Sequence, residues 1–264
     1  MNTLMAGEMG LSGLLGAAFL ILGGGIVHGI LGVGFPLVTT PLLSLFIDVR
    51  QVMLLILLPT LSVNLVSILR GGDWRRQIRR FYPLAMWGTL GSAAGSYLLA
   101  NVDPEPFKLV LAAALLTYLQ ASRFGGRFAW VRRRQSAAML LFGLLGGFLA
   151  GTVNVMLPAL VIFALESGLE RRAMVQVFNF CFLLGKLSQG ATFFQTGLLT
   201  MTLFIQTVPL AVVTLAGLAV GFRLQGRVSS EAYRHALTRL LYVMAGLLLI
   251  QGLAGMFGID LRAS

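Results

Sequence analysis

The chain is a series of apolar stretches separated by short clusters of arginine. A run of roughly 17 to 25 apolar residues spans a bilayer core as a helix. Backbone at that depth finds no water, so it must bond to itself. Eight main segments read this way, near 13–34, 51–69, 81–99, 107–122, 136–155, 173–193, 198–222 and 236–257. Two shorter ones, 36–47 and 156–165, follow the first and the fifth. Only 11% of residues are charged and the mean hydropathy is +0.88, whereas a soluble domain carries about 25% charged residues. The expectation is an all-α integral membrane protein with eight main transmembrane segments, two short broken or re-entrant helices and almost no soluble part.

The same unit is written twice. Gly25-Ile26-Val27-His28-Gly29 leads to Pro36, and Gly147-Phe148-Leu149-Ala150-Gly151 leads to Pro158, 122 residues later. Superposing the prolines also sets Gly25 on Gly147, Gly29 on Gly151 and Arg50 on Arg172. Further along, Pro83, Gly91 and Gly95 match Pro209, Gly217 and Gly221 at an offset of 126. Internal duplication in so apolar a chain points to a transporter.

Basic residues choose between two topologies, because cytoplasmic loops collect lysine and arginine. The loops at 70–80, 123–134, 166–172 and 223–239 hold 16 of the 20. Four crossings per repeat, with the repeats parallel, place 11 inside and 8 outside. Counting 36–47 and 156–165 as crossings turns the second repeat upside down and places 16 inside and 3 outside. Two inverted-topology repeats are therefore expected, 13–122 and 136–257, joined by a cytoplasmic basic linker at 123–134 within a single membrane domain over 1–264, both termini outside. A twelve-residue helix is only about 18 Å long against a core of about 30 Å. The short segments must then be shielded by protein or line a cavity.

Each repeat carries a break suited to a ligand. Gly32 and Gly34 precede Pro36, which favours a helix end, a turn and a fresh helix start. A new N-terminus offers unpaired amide donors and partial positive charge, a setting for an anion. Asn154 stands at the matching break before Pro158. Close helix packing is the competing use of the glycine pairs 25/29, 91/95, 147/151 and 217/221.

Lys186 lies in an otherwise uncharged stretch from Phe178 to Phe194. A cation there costs roughly 2.5 to 3.5 kcal/mol on insertion scales, so it needs a compensating partner such as carbonyls, water or an anionic substrate. Asn179 and Gln189 share its helix face at spacings of seven and three. Asn64 is its counterpart in the first repeat, with Ser62 and Ser67 nearby, and these polar groups suit the lining of a path. His28 suits either proton coupling or an interhelical hydrogen bond. Thr39 and Thr40, just past Pro36, offer hydroxyls to a ligand or to their own helix.

Other classes find little support. The net charge of +11 sits in loops beside apolar segments, where it meets lipid headgroups rather than nucleic acid. Two histidines and one cysteine do not build an ordinary zinc site, and no Walker-type loop is present. Neither an enzyme nor a cofactor is expected. Gly10-Leu11-Ser12-Gly13 only superficially matches a rhomboid protease serine motif. The lone Cys181 cannot form an intramolecular disulfide. A cation pathway would need intramembrane carboxylates, which are scarce here.

The glycine-rich segment running from Gly25 to Leu45, its second copy at Gly143 to Phe163, and the turn Arg70-Gly71-Gly72-Asp73-Trp74 resemble the sulfite exporter TauE/SafE family of membrane permeases. The resemblance covers roughly 13–257. It implies a bacterial inner-membrane protein that moves sulfite, sulfonates or related organosulfur anions. His28, Asn154 and Met156 depart from the family's compact glycine pattern, and the stretch around Lys186 looks like a subfamily feature. The combined expectation is a secondary transporter of small anions working by alternating access, with Lys186, Asn64, Asn154, Asn179, Gln189, His28, Gly32, Gly34 and Thr39 at the substrate. The alternative is a non-transporting membrane assembly or accessory protein. A homo-oligomer is compatible with either.

Overall fold

The computed structural model describes residues 11–71, 74–121, 130–225, 227 and 230–256. The described residues are helical, without a strand. The first half contributes α1 (Leu11–Leu31), α2 (Phe35–Ser44), α3 (Val49–Leu55), α4 (Leu57–Arg70), α5 (Trp74–Asn101) and α6 (Phe107–Gln120). The second contributes α7 (Trp130–Arg133), α8 (Gln135–Val153), α9 (Leu157–Ser167), α10 (Arg171–Gln195), α11 (Met201–Gln206), α12 (Val208–Leu224) and α13 (Ser230–Met256). Most of the 123–134 linker and the Gly72-Asp73 turn lie outside the described residues.

The two breaks form as the glycine and proline pattern predicts. α1 stops at Leu31, Gly32 and Gly34 take positive φ of 82° and 108°, and α2 restarts with Pro36 in its first turn. α8 stops at Val153, Asn154 takes φ 62°, and α9 restarts with Pro158 in its first turn. Gly32 and Asn154 are matched positions in the duplication, and both reverse the chain through the left-handed region. Asparagine is one of the few side chains that visits that region readily.

Packing follows a two-fold exchange of the halves. α8 crosses α5, and its counterpart α1 crosses α12. α10 packs on α5 as α4 packs on α12, and α9 touches α6 as α2 touches α13. The pairs α4 with α10 and α6 with α13 join equivalent elements. Glycines set the two main crossings. A Cβ at Gly25 would meet the backbone of Thr214 and Gly217, and one at Gly29 that of Leu218 and Gly221. A Cβ at Gly147 would meet the backbone of Gly88, and one at Gly151 that of Ser92, Gly95 and Ser96. The packing use of all four glycine pairs is thus realised.

Boundaries differ from expectation where proline and polar faces intervene. The segment at 51–69 is split into α3 and α4 with a 50° bend at Ile56. Pro59, in the first turn of α4, has no N–H to return to α3, and helices bend at such points. Among the described residues, three helices are long and apolar enough to cross a bilayer: Gln135–Val153, Met201–Leu224 and Leu237–Met256. The bent pair α3–α4 makes a fourth. The expected count of eight exceeds this because the apolar helices Leu15–Leu31 and Phe107–Gln120 are short, α5 opens on Arg75, Arg79 and Arg80, and α10 carries Gln176, Asn179, Lys186 and Gln189.

The surface is that of a protein solvated by lipid. Phe19, Leu90, Tyr97, Val212 and Ile250 stand exposed, while Asn64, Asn154, Asn179, Lys186 and Gln189 are all at most 2% exposed. Polar side chains inside and large apolar ones outside suit a hydrocarbon environment.

Candidate functional site

The buried polar groups gather where the halves interlock. α10 runs through the middle, packed on α4, α5 and α8. Gln176, Asn179, Lys186 and Gln189 are all buried along it, so the predicted polar face is real and turned inward.

Lys186 is 2% exposed, and its Nζ donates to Gln189 Oε1. Among the described residues it meets no carboxylate. Gln189 is committed in turn: its Nε2 donates to the Gly151 carbonyl at 3.2 Å and reaches Met53 Sδ at 3.6 Å. Gln189 thus carries Lys186 on the last turns of α8 while its own amide is in use.

Each break is held by a side chain from the opposite half. Asn179 Nδ2 donates to the Gly32 carbonyl at 2.8 Å and to the Val175 carbonyl at 2.7 Å. Asn154 Nδ2 donates to Thr40 Oγ1 at 2.9 Å. The Asn154 and Asn179 Oδ1 atoms are buried without a partner, and so is Asn64 Nδ2. A buried polar atom left unpaired is costly.

His28 ties the first break to α4. The Phe35 amide donates to Nδ1 at 3.3 Å, so Nδ1 is the acceptor and Nε2 carries the hydrogen, donating to Ser67 Oγ at 3.0 Å. Both ring nitrogens are engaged in shaping the turn. Thr39 returns its hydroxyl to the Phe35 carbonyl at 2.7 Å, so it serves its own helix. Gly34 leaves open space around its α-carbon, as no atom lies within 4 Å of a Cβ built there.

The structure therefore brings Lys186, Gln189 and Asn179 onto one face of α10 and sets the Asn154 and Gly32 breaks against the opposite halves. Thr40 bonds Asn154 and Ser67 bonds His28, two hydroxyls that the sequence also offered, and the structure adds Gln176, which sequence reasoning did not assign to the site. The Gln176 amide reaches the Ser67 carbonyl at 3.4 Å, and its Oε1 is unpartnered. Its spacing of three from Asn179 on the polar face was the available signal.

Asn154 allows a separate test of the break. Asn154→Gly keeps the left-handed turn and loses the bond to Thr40, whereas Asn154→Ala loses both. The alanine variant is expected to be less stable than the glycine variant by about 1–2 kcal/mol, read as the order of melting temperatures in detergent. Equal melting of the two variants would show that φ at this position is unimportant.

Residues 17–248 match the family described as Sulfite exporter TauE/SafE. No curated protein and no solved structure matches the chain. With the match spanning nearly all of its helices, the chain belongs to the sulfite exporter TauE/SafE family and is a multi-pass membrane protein of permease type.

Proposed function

We propose that the protein is a secondary transporter of small anions, sulfite, sulfonates or related organosulfur anions, in a bacterial inner membrane. The observation that carries this reading is Lys186, buried on α10 and meeting no carboxylate among the described residues. Desolvating an ammonium group is costly, and an anionic cargo offsets that cost each time it enters. In this reading Asn64, Asn154 and Asn179 supply neutral polar contacts to the anion.

In this reading the two halves, 13–122 and 136–257, are inverted repeats joined by a cytoplasmic basic linker at 123–134, with eight main spans and two short helices. The two-fold exchange of packing partners supports the duplication. The 16-to-3 division of basic residues supports the inversion. Alternating access is the rocking of one half against the other about the buried site. Protons or the membrane potential drive it.

Purified protein in liposomes is expected to carry labelled sulfite across the bilayer well above protein-free vesicles. Loss of the signal with excess unlabelled sulfonate would place both anions at one site. Absence of flux for sulfite and for sulfonates, together with one stably co-purifying membrane partner, would favour the accessory-protein reading.

A further inference from the structure

Helical serines and threonines in apolar surroundings usually return their hydroxyl to the carbonyl four residues back. This protein follows the habit at Thr60, Ser62, Thr89 and Thr152, with bonds of 2.6 to 2.9 Å. Ser96 on α5 does not. It is 0% exposed and its Oγ has no partner. The default acceptor, the Ser92 carbonyl, lies against Gly151, where a Cβ would collide with it. The hydroxyl is left free where α5 crosses α8.

That crossing is also where Lys186 is held. Ser92, one turn before Ser96, donates to the Gly185 carbonyl at 2.8 Å, beside Lys186. Gly151 packs on Ser96 and gives its own carbonyl to Gln189, which accepts from Lys186. A free hydroxyl donor on α5 and an ammonium group on α10, which meets no carboxylate among the described residues, thus both lie along the α5–α8–α10 junction.

The duplication supplies an independent comparison. The matching junction of α12, α1 and α4 has Phe222 in place of Ser96 and Asn64 in place of Lys186. Phe222 is covered by the Arg70 guanidinium, 3.8 Å from its ring centroid. The hydroxyl and the lysine occur together in one junction and are both replaced in the other.

We propose that Ser96 is a further substrate-contacting residue, its hydroxyl donating to an oxyanion whose charge Lys186 balances. Two donors from two helices fit a ligand with at least two terminal oxygens. Ser96 has this role only if the protein carries an anion, as proposed above.

The test is sulfite flux in proteoliposomes for the parent, Ser96→Ala and Ser188→Ala, with melting of each in detergent. Ser188 bonds the Thr89 carbonyl at 3.0 Å and joins the same two helices, so it reports packing. Ser96→Ala is expected to raise the half-saturating sulfite concentration about tenfold, the weight of one hydrogen bond to a charged group. Its melting temperature should equal or exceed the parent's, because an unsatisfied buried hydroxyl is removed. Ser188→Ala is expected to melt lower with the half-saturating concentration unchanged. Should Ser96→Ala not fold, Ser96→Cys keeps the size with a weaker donor and should shift in the same direction. An unchanged half-saturating concentration in the Ser96 variant, with the parent active, overturns the role of Ser96 and spares the transport reading. A parent that carries neither sulfite nor sulfonates in these vesicles overturns both.

Discussion

Lys186→Met is expected to reduce anion flux by at least about a hundredfold while leaving the protein folded. Methionine has nearly the volume and flexibility of lysine, so the space between α4, α5, α8 and α10 stays filled. What goes is the ammonium group and its bond to Gln189. An interaction with a charged group in a desolvated site is worth about 3–5 kcal/mol when one partner is removed, which converts to at least two orders of magnitude in rate or affinity. Stability should move the other way. An apolar side chain in place of a buried lysine relieves a cost of roughly 2.5 to 3.5 kcal/mol, and the melting temperature in detergent is expected to rise. A purely structural lysine would give the opposite pattern, lower melting with flux retained. Normal flux through Lys186→Met would remove the residue from the transport pathway.

That lysine was legible because a charge in a long apolar run is an anomaly in any reading of the chain. The two breaks were legible for a similar reason: Gly32, Gly34 and Pro36 punctuate the backbone, and so does Pro158. The turn chemistry of Asn154 could be matched to Gly32 only through the duplication. Other features depend on which surfaces meet, and spacing does not encode that. A Gly-x-x-x-Gly pair marks a face for close approach without naming its partner. Only the fold shows that Gly25 and Gly29 lie against Gly217 and Gly221 of the opposite half. Likewise a helical serine reads as a back-bonding residue, so Ser96 drew no notice until its default acceptor was found covered. Thr39, a hydroxyl that did draw notice, is satisfied by its own helix. The bend at Ile56 escaped because Pro59 sits inside a run that otherwise reads as one continuous helix. His28 stood between two roles, and its two ring nitrogens, both bonded, show how it shapes the first turn.

The largest loss of stability is expected from a single methyl group at the two-fold-related crossings. In Gly147→Ala the new Cβ falls on the backbone of Gly88, and in Gly25→Ala on that of Thr214 and Gly217. Backbone atoms cannot rotate aside as a side chain can, so α8 must part from α5, and α1 from α12. Overpacking a tight core costs about 1–3 kcal/mol even where side chains can adjust. Here a whole helix interface separates, and close packing is the main attraction between helices in lipid. Both variants should yield little monodisperse protein and melt well below the parent. Gly23→Ala provides the internal control, because it lies in the same glycine run as Gly25 but has no atom within 4 Å of its Cβ position. It is expected to match the parent or gain slightly from better helix propensity. The comparison also reaches the duplication itself. If the halves pack by one two-fold rule, Gly25→Ala and Gly147→Ala should be destabilising to a similar degree, although they lie 122 residues apart. A severe loss at one and tolerance at the other would mean that the two crossings are not equivalent, and alternating access by exchange of matched halves would lose its structural basis.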